Sequence, residues 1–377
     1  MSGQNPYASL AAEAITALSP YEPGMPPEVL EREYGISNAI KLASNENAFG
    51  VPAAVRLAMD AQLNRIGRYP DGGGFALRGA LAEHLHVAPE QITLGNGSNE
   101  VLVLLAETFL SAATSAVYDQ YSFVVYRLAV QAVGAHALVA TSHAADHEQP
   151  FGHDLDAMLS LVDDATRLVF IANPNNPTGT WFGQDALRSF LQQLPEHVIA
   201  IVDEAYYEYA CGDDFPDSLP LLKQFPNLVV VRTFSKAYGL AGLRVGYCVS
   251  ATGIAELLNR VRQPFNVNSV AQAGAVAALG EQGWVNESRE LNAKLREALR
   301  AALAKLGINC LPAKGNFLLA HIGVDAAACH EFLLRNGVIV RPVANYGLPE
   351  YLRITIGTQD ETERLLAVLG DYCGNRS

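Results

Sequence analysis

The distribution of apolar residues along the chain predicts an α/β protein. From about residue 40 to about residue 265, short β-branched runs alternate with longer segments of helical periodicity. The runs are continuous, a pattern typical of strands that are buried on both faces of a sheet. The intervening helices make the expected sheet doubly wound and mainly parallel. The predicted strands lie at 92–97, 115–120, 167–172, 198–202, 227–232 and 244–250.

The pattern changes after residue 265. A long helical segment at 269–307 includes a charged amphipathic stretch, and a last helix begins at Asp360. Between them, short apolar runs predict strands at 316–322, 338–343 and 351–357. This order indicates a smaller α+β domain, which the long helix connects to the larger one.

The length of the chain also indicates two domains. Domains usually contain about 100–200 residues, and this chain has 377. The first residues resemble an arm that packs on another part of the protein. We therefore predict an N-terminal arm at 1–45 that belongs to the small domain, a large domain at 46–270 and a small C-terminal domain at 271–377.

The composition narrows the possible partners and the location. Half of the residues are hydrophobic, which supports a large core and excludes a disordered chain. The net charge of −13 argues against binding to a nucleic-acid backbone. No run approaches the ~20 apolar residues of a membrane span, and the N-terminus lacks the features of a signal peptide. The five scattered cysteines are typical of reduced thiols, so we expect a cytoplasmic protein without nucleic-acid or membrane partners.

Three consecutive predicted strands end in different polar groups. Asn176 follows the strand at 167–172, Asp203 ends the next strand, and Lys236 follows the third. Each of the two gaps between these residues is long enough for one strand–helix–strand unit. Because ligands bind at the carboxyl ends of neighbouring strands in an open α/β sheet, we expect the amide, the carboxylate and the amine to converge.

A small-residue turn upstream predicts an anion site. The strand that begins at residue 92 turns through 95–100 into an apolar helix, and the turn includes Gly97, Ser98 and Asn99. Backbone N–H groups in such a turn, together with the helix N-terminus, can hold a phosphate. Ser235 and Arg244 could complete this cup from the other side. The turn lacks the Gly-Lys-Ser/Thr of a Walker loop and the third glycine of a dinucleotide fingerprint.

One cofactor needs this combination of groups. Pyridoxal 5′-phosphate takes a lysine at its aldehyde, an aspartate at its ring nitrogen and an anion cup at its phosphate. The aspartate keeps the ring nitrogen protonated, which lets the ring accept electron density from the substrate Cα. The residues therefore predict a pyridoxal-phosphate enzyme.

The motifs also resemble those of a known family. The segment S-K-A-Y-G-L-A-G-L-R (235–244), with N-P-N-N-P-T-G (173–179) and D-E-A-Y (203–206), resembles the class II aminotransferases of PLP fold type I. Within them, the similarity is closest to the histidinol-phosphate aminotransferases and runs across essentially the whole chain. The shared motifs are Y-x-P-G (21–24), L-A-S-N-E-N (42–47), R-Y-P-D (68–71) and L-R-I-T-I-G (352–357).

The resemblance implies a seven-stranded, mainly parallel sheet that lies between layers of helices. It also implies roles for individual residues. Lys236 resembles the lysine that carries the cofactor and moves the substrate proton. The implied cofactor partners are Asp203 at the ring nitrogen, Asn176 and Tyr206 at the phenolic oxygen, Tyr121 stacked on the ring, and Gly97, Ser98, Asn99, Ser235 and Arg244 at the phosphate. Tyr69 resembles a tyrosine that reaches the phosphate of the neighbouring subunit, which implies a homodimer. The implied substrate residues are Arg353, Arg341, Tyr21 and Asn45.

The resemblance implies amino transfer between L-histidinol phosphate and 2-oxoglutarate/glutamate in histidine biosynthesis. Two alternatives stay open at this point, and a third is disfavoured. An aromatic amino-acid aminotransferase would use the same chemistry, and an amino-acid-phosphate decarboxylase would use the same scaffold. A transcription regulator with an aminotransferase-like domain would need a DNA-binding domain, for which the chain has neither length nor basic charge.

The histidines do not predict a metal site. His143 and His147 are spaced by four residues, but they do not form H-E-x-x-H and the spacing suggests no third ligand. We interpret His84, His86 and His153 as surface histidines.

Overall fold

The computed structural model describes residues 5–20, 24–210, 212 and 215–374. These residues form two β-sheets surrounded by helices. The strands are β1 (Ile40–Leu42), β2 (Ile92–Gly95), β3 (Ser115–Asp119), β4 (His136–Ala140), β5 (Thr166–Ala172), β6 (Ile199–Asp203), β7 (Leu228–Thr233), β8 (Gly246–Ser250), β9 (Asn309–Cys310), β10 (Phe317–His321), β11 (Val338–Pro342) and β12 (Tyr351–Thr355). The helices are α1 (Glu13–Thr16), α2 (Pro27–Tyr34), α3 (Ala53–Leu63), α4 (Phe75–Leu85), α5 (Ser98–Phe109), α6 (Val124–Ala132), α7 (Leu155–Ser160), α8 (Gln184–Gln193), α9 (Tyr207–Ala210), α10 (Thr252–Val261), α11 (Ser269–Leu279), α12 (Gln282–Lys305), α13 (Ala326–Arg335) and α14 (Gln359–Gly374).

The first sheet has seven strands in the order β2-β8-β7-β6-β5-β3-β4. The five strands from β7 to β4 are parallel, whereas β8 runs antiparallel to both of its neighbours. The predicted α/β class and the seven-stranded, mainly parallel sheet are confirmed. Strand β4 is an edge strand whose side chains are mostly exposed, and the hydrophobic pattern does not predict it.

Both faces of the first sheet are apolar, as the continuous hydrophobic runs predict. Val169 and Val230 face one core together with residues of α8. Their neighbours Phe170 and Val229 face the opposite core, which includes residues of α5 and α6. Successive strand residues therefore alternate between two cores rather than between core and solvent.

The second sheet has the order β1-β11-β12-β10-β9. Strands β10, β11 and β12 correspond to the three strands predicted after residue 265, and they pair antiparallel. Strand β1 comes from the beginning of the chain and pairs parallel with β11. The sheet thus joins residues 40–42 to C-terminal strands, while the predicted domain boundaries stay a prediction.

The long helical segment predicted at 269–307 is wrong in one respect, because it consists of two helices. Helix α11 ends before Gly280 and α12 begins at Gln282. Helix α11 packs on α3 and α4, whereas α12 contacts α9 as well as β9, β10 and α14. Glycine has a low helix propensity, which favours the end of α11 at this position.

Among the described residues, no helix combines the length and the apolar character needed to cross a membrane. Four cysteines are free thiols: Cys248, Cys310, Cys329 and Cys373. Cys211 lies outside the described residues.

Candidate active site

The carboxyl ends of β5, β6 and β7 lie side by side at one edge of the first sheet. Ala172 pairs with Asp203, and Asp203 pairs with Val231 on the next strand. The segments that continue from these ends carry Asn176 and Lys236. Parallel strands therefore bring the amide, the carboxylate and the lysine to one crevice, as the spacing predicts.

Asp203 is a buried carboxylate that is held on both oxygens. The hydroxyl of Tyr126 donates to Oδ2 at 2.8 Å, and the backbone N–H of Ala205 donates to Oδ1 at 3.2 Å. Burial raises the pKa of Asp203 to about 6, although both hydrogen bonds oppose this shift. A cationic partner facing this carboxylate would lower its pKa again.

The sequence analysis missed Tyr126. Its ring is fully buried and stacks on Phe170 with centroids 4.9 Å apart, which fixes its hydroxyl toward Asp203. Tyr126 lies on the apolar helix α6, and nothing in the periodicity of that helix distinguishes it from a core aromatic residue.

Lys236 is half-buried and its amine lies inside the site. Nζ donates to the carbonyl of Ser44 at 3.2 Å and lies 5.7 Å from the centre of the Tyr206 ring. Burial, and after it the positive charge of Arg353, lower the pKa of Lys236 to about 7. A substantial fraction of this amine is therefore neutral at neutral pH, which is the form that acts as a nucleophile or base.

Tyr206 is oriented by Asn45. The amide Nδ2 of Asn45 donates to the Tyr206 hydroxyl at 2.9 Å, and the hydroxyl of Thr355 donates to Asn45 Oδ1 at 3.1 Å. Because the Tyr206 oxygen accepts from Asn45, its own proton is left for a third group. Burial raises the pKa of Tyr206 to about 12, which keeps this proton in place.

Asn176 and Arg353 are in direct contact across the two sheets. Nη1 of Arg353 donates to Oδ1 of Asn176, and Nη2 donates to the carbonyl of Ala43 at 2.7 Å. The Asn176 oxygen is thereby engaged, so its amide Nδ2 is the group that can donate into the crevice. Arg341 lies directly opposite Arg353 on β11, which places two cationic side chains on one face of the second sheet.

The predicted anion cup also forms. Gly97 has a φ of 80°, and a side chain there would meet the guanidinium of Arg244. A side chain at Gly246 would collide with the backbone N–H of Ser98, so this glycine allows β8 to approach the first turn of α5. Arg244 Nη1 also lies 3.4 Å from Ser235 Oγ.

A cavity of about 770 Å³ opens beside these groups. Its polar wall consists of Ser98, Asn99, Ser235, Lys236 and Arg244. Its opposite wall is apolar and comes from α6 and from the N-terminal residues Ile15 and Leu18. The structure thus brings five of the predicted cofactor residues to one concave surface.

A buried ion pair between Arg232 and Glu204 lies next to the site residues. Arg232 donates to Glu204 through Nε at 2.9 Å and lies 3.6 Å from the centre of the Tyr207 ring. Glu204 directly follows Asp203. Arg232 lies near the end of β7, four residues before Lys236. The pair therefore ties the carboxyl ends of β6 and β7 together, a connection that the sequence did not predict.

The remaining predicted residues lie at different distances from this centre. Tyr121 follows β3, and its carbonyl accepts a hydrogen bond from Asn175 Nδ2 at 3.1 Å. Tyr69 is 83% exposed and stacks on Phe265 with ring centroids 4.7 Å apart. Tyr21 lies outside the described residues. The roles assigned to these residues stay predictions.

The interpretation of His153 as a surface histidine is wrong. Its side chain is buried beside Asp119, because the loop before α7 folds back over the end of β5.

His143 and His147 stack on each other with ring centroids 3.8 Å apart. No group of three or more potential ligands in the described part of the chain could hold a metal ion.

Comparison with known proteins identifies the family. A model of the family "Aminotransferase class I and II" matches residues 37–369. The chain belongs to the class I and II aminotransferases. A histidinol-phosphate aminotransferase of Pseudomonas fluorescens is 51% identical over 371 residues, which cover 98% of both chains. One from Methylococcus capsulatus is 51% identical over 361 residues, which cover 96% of this chain and 97% of the relative.

A solved aminotransferase structure has the same fold. The histidinol-phosphate aminotransferase of Sinorhizobium meliloti, in complex with pyridoxal-5′-phosphate, superimposes with a TM-score of 0.88 at 30% identity. The match covers 98% of this chain and 99% of that chain. The predicted PLP fold type I is therefore confirmed.

The residues of this aminotransferase fit pyridoxal phosphate. Asp203 is a buried carboxylate whose raised pKa reflects uncompensated burial, and a protonated ring nitrogen would supply the missing charge. Gly97 keeps a side chain away from the Arg244 guanidinium, and Gly246 allows β8 to approach the backbone N–H of Ser98. Lys236 offers a partly neutral amine within the same crevice.

Proposed function

We propose that this aminotransferase transfers the amino group between L-histidinol phosphate and 2-oxoglutarate in histidine biosynthesis, with pyridoxal 5′-phosphate as its cofactor. Two kinds of support exist for this assignment. The full-length relatives at 51% identity are histidinol-phosphate aminotransferases. The observation that carries the substrate class is the pair Arg341 and Arg353, which face each other on β11 and β12.

The cofactor and the side chains of the protein contribute different parts of the chemistry. Pyridoxal phosphate, when bound, supplies a reactive carbonyl carbon and a ring that accepts electron density from the substrate Cα. Lys236 supplies the amine that binds the cofactor and then acts as the base that takes the proton from Cα. Its lowered pKa allows it to accept and release that proton near neutral pH.

The other side chains hold the ring and its charge. Asp203 would face the ring nitrogen, where its negative charge stabilises a proton. Tyr206 keeps its hydroxyl proton after its contact with Asn45, and Asn176 keeps its amide NH2 after its contact with Arg353. Both side chains can therefore donate to the phenolic oxygen. Each of these two roles uses a donor that the observed hydrogen bonds leave available.

The lowered pKa of Lys236 predicts a pH dependence of cofactor attachment. The neutral amine is the reactive form, so the attachment rate should rise about tenfold per pH unit below pH 7 and level off above it. The rate is measured by adding pyridoxal phosphate to the apoprotein and following the absorbance of the bound cofactor. Lys236→Ala is the control and should show no attachment. A plateau reached only near pH 10 would contradict the buried environment of the amine.

The two arginines suit a substrate that carries a phosphate. Guanidinium groups bind phosphate oxygens through two parallel hydrogen bonds, and two such groups suit a dianion better than one carboxylate. The contact of Arg353 with Asn176 supports an anion site next to the group that would donate to the cofactor's phenolic oxygen.

The function is tested by offering three substrates to the enzyme loaded with pyridoxal phosphate. With L-histidinol phosphate and 2-oxoglutarate, we expect glutamate to form with a kcat/KM at least about 100-fold higher than with phenylalanine, a ratio consistent with loss of a bound phosphate. Threonine phosphate should release no carbon dioxide. A preference for phenylalanine would indicate an aromatic aminotransferase, and carbon dioxide release would indicate a decarboxylase.

We also propose a homodimer with shared active sites. Tyr69 is 83% exposed and Phe75 is 85% exposed, and the nearby Phe265 is partly exposed. Clusters of large exposed apolar side chains often mark protein interfaces. The second copy would cover these rings and bring Tyr69 to the anion cup of its partner.

The dimer predicts a loss of cofactor affinity when Tyr69 is changed. Tyr69→Phe keeps the ring but removes the hydroxyl, so the affinity for pyridoxal phosphate should fall about tenfold while sedimentation still shows a dimer. Tyr7→Phe is the control, because Tyr7 is also exposed but lies in the N-terminal segment. A monomeric wild-type protein would contradict the shared site.

We infer a cytoplasmic location. The support is the odd number of scattered cysteines, four of which are free thiols in the described residues, and the absence of a membrane-spanning helix there. Fractionation of the cells that produce the protein tests this inference, and recovery in a secreted or membrane fraction would contradict it.

A further inference from the structure

The buried carboxylate of Asp119 and the buried imidazole of His153 face each other next to the backbone of Tyr121. Asp119 is the last residue of β3, and His153 lies in the loop before α7. Their side chains are 0% and 1% exposed, and Nδ1 of His153 lies 3.5 Å from Oδ2 of Asp119. Within the described part of the chain, neither atom forms a hydrogen bond. Two polar groups are thus buried in contact without a role in the mechanism above.

Asp119 holds the backbone of Tyr121. Its Oδ1 accepts hydrogen bonds from the Tyr121 N–H at 2.8 Å and from the Ser142 hydroxyl at 2.7 Å. The carbonyl of Tyr121 accepts from Asn175 Nδ2 at 3.1 Å. Both sides of the Tyr121 peptide unit are therefore fixed by buried side chains.

His153 connects this arrangement to the next strand. Its Nε2 accepts a hydrogen bond from the backbone N–H of Ala172 at 3.2 Å. Ala172 is the last residue of β5 and leads into the segment that carries Asn176. The imidazole therefore bridges the carboxyl ends of β3 and β5, from which Tyr121 and Asn176 project.

The bridge also determines the tautomer of a neutral His153 ring. Because Nε2 accepts from a backbone N–H, the ring proton of the neutral imidazole resides on Nδ1. Asp119 Oδ2 lies 3.5 Å from that nitrogen, so the proton on Nδ1 would be the third donor to the buried carboxylate.

We propose that Asp119 and His153 form a positioning pair that holds Tyr121 and Asn176 in place for the cofactor ring. The inference rests on the proposed binding of pyridoxal phosphate. Neither side chain of the pair contacts the ring in this account. The donor on Nδ1 orients Asp119, Asp119 orients the Tyr121 backbone, and the contact of Nε2 fixes the start of the Asn176 segment.

Two substitutions distinguish the contributions of the two ring nitrogens of His153. In His153→Asn, the amide Nδ2 takes the place of Nδ1 and can still donate to Asp119. In His153→Gln, the amide oxygen takes the place of Nε2 and can still accept from Ala172, but the donor to Asp119 is lost. If the pair positions Tyr121, the asparagine variant should resemble the wild type more closely than the glutamine variant does.

The experiment measures the equilibrium affinity of each apoprotein for pyridoxal phosphate, together with its thermal unfolding. We expect His153→Gln to lose about tenfold or more in affinity, the size expected for a lost hydrogen bond to a charged group. We expect His153→Asn, which loses only the neutral contact with the Ala172 N–H, to lose about threefold in affinity. Asp119→Asn should match His153→Gln, because its amide would oppose Nδ1–H. The exposed His197→Gln is the control and should leave the affinity unchanged.

The outcomes separate this inference from the proposed function. If the wild type binds pyridoxal phosphate and His153→Gln binds it equally well, the positioning pair is wrong and the cofactor assignment stands. Equal losses in His153→Gln and His153→Asn, in step with their unfolding temperatures, would also overturn the inference, because they would reveal a purely structural role. A wild-type protein that binds no pyridoxal phosphate would overturn the proposed function itself.

Discussion

Replacing Lys236 with alanine is expected to reduce the rate of amino transfer by roughly 10⁴-fold or more. The amine that holds the cofactor and the base that moves the Cα proton are the same group, so the substitution removes both contributions. The rate is measured as glutamate formed from L-histidinol phosphate and 2-oxoglutarate with saturating pyridoxal phosphate.

The variant should keep its fold and its noncovalent hold on the cofactor phosphate. The anion cup around Gly97 and Arg244 does not depend on the lysine side chain. The exposed Lys223→Ala is the matched control and should retain wild-type activity. Activity of Lys236→Ala within tenfold of the wild type would mean that another group moves the proton.

Replacing Asp203 with alanine is expected to lower kcat by about 10³-fold, near the upper range for removal of one preorganised electrostatic group. The buried carboxylate is the charge that would keep the ring nitrogen protonated, and without it the ring accepts electron density poorly. The measurement is kcat for glutamate formation at saturating substrate and cofactor.

Tyr126→Phe gives a graded comparison for Asp203. This variant keeps the carboxylate but removes the 2.8 Å hydrogen bond to Oδ2. A hydrogen bond to a charged group contributes about 1.5–3 kcal/mol, so kcat should fall by roughly 10-fold to 100-fold. The account would be contradicted if Tyr126→Phe lost more activity than Asp203→Ala.

The sequence predicted the centre of the site because local pattern determines that part. Asn176, Asp203 and Lys236 each follow an apolar strand, and parallel strands in one sheet end at one edge. The anion cup was also predictable, because Gly97 and Ser98 mark a strand-to-helix turn. Continuous apolar runs were sufficient to predict a sheet buried on both faces.

The side chains that support the centre could not be predicted in the same way. Tyr126 and His153 have no sequence pattern that separates them from a core aromatic residue or a surface histidine. Their roles depend on long-range packing, which brings Tyr126 to Asp203 and His153 to Asp119.

Weak local signals explain the errors in the fold. Strand β4 is an edge strand with mostly exposed side chains, so it lacks the continuous apolar run that marks the other strands. The break at Gly280 lies between two segments that are both strongly helical, and only their different packing surfaces reveal it.

The most direct test of the account is to locate the covalently bound cofactor. The protein is loaded with pyridoxal phosphate, treated with borohydride to make the linkage permanent, digested, and mapped by mass spectrometry. The account predicts one modified residue per chain, at Lys236 in the segment that follows β7. A modification at a different lysine, or none in protein that binds the cofactor, would contradict the assignment of the crevice between β5, β6 and β7 as the active site.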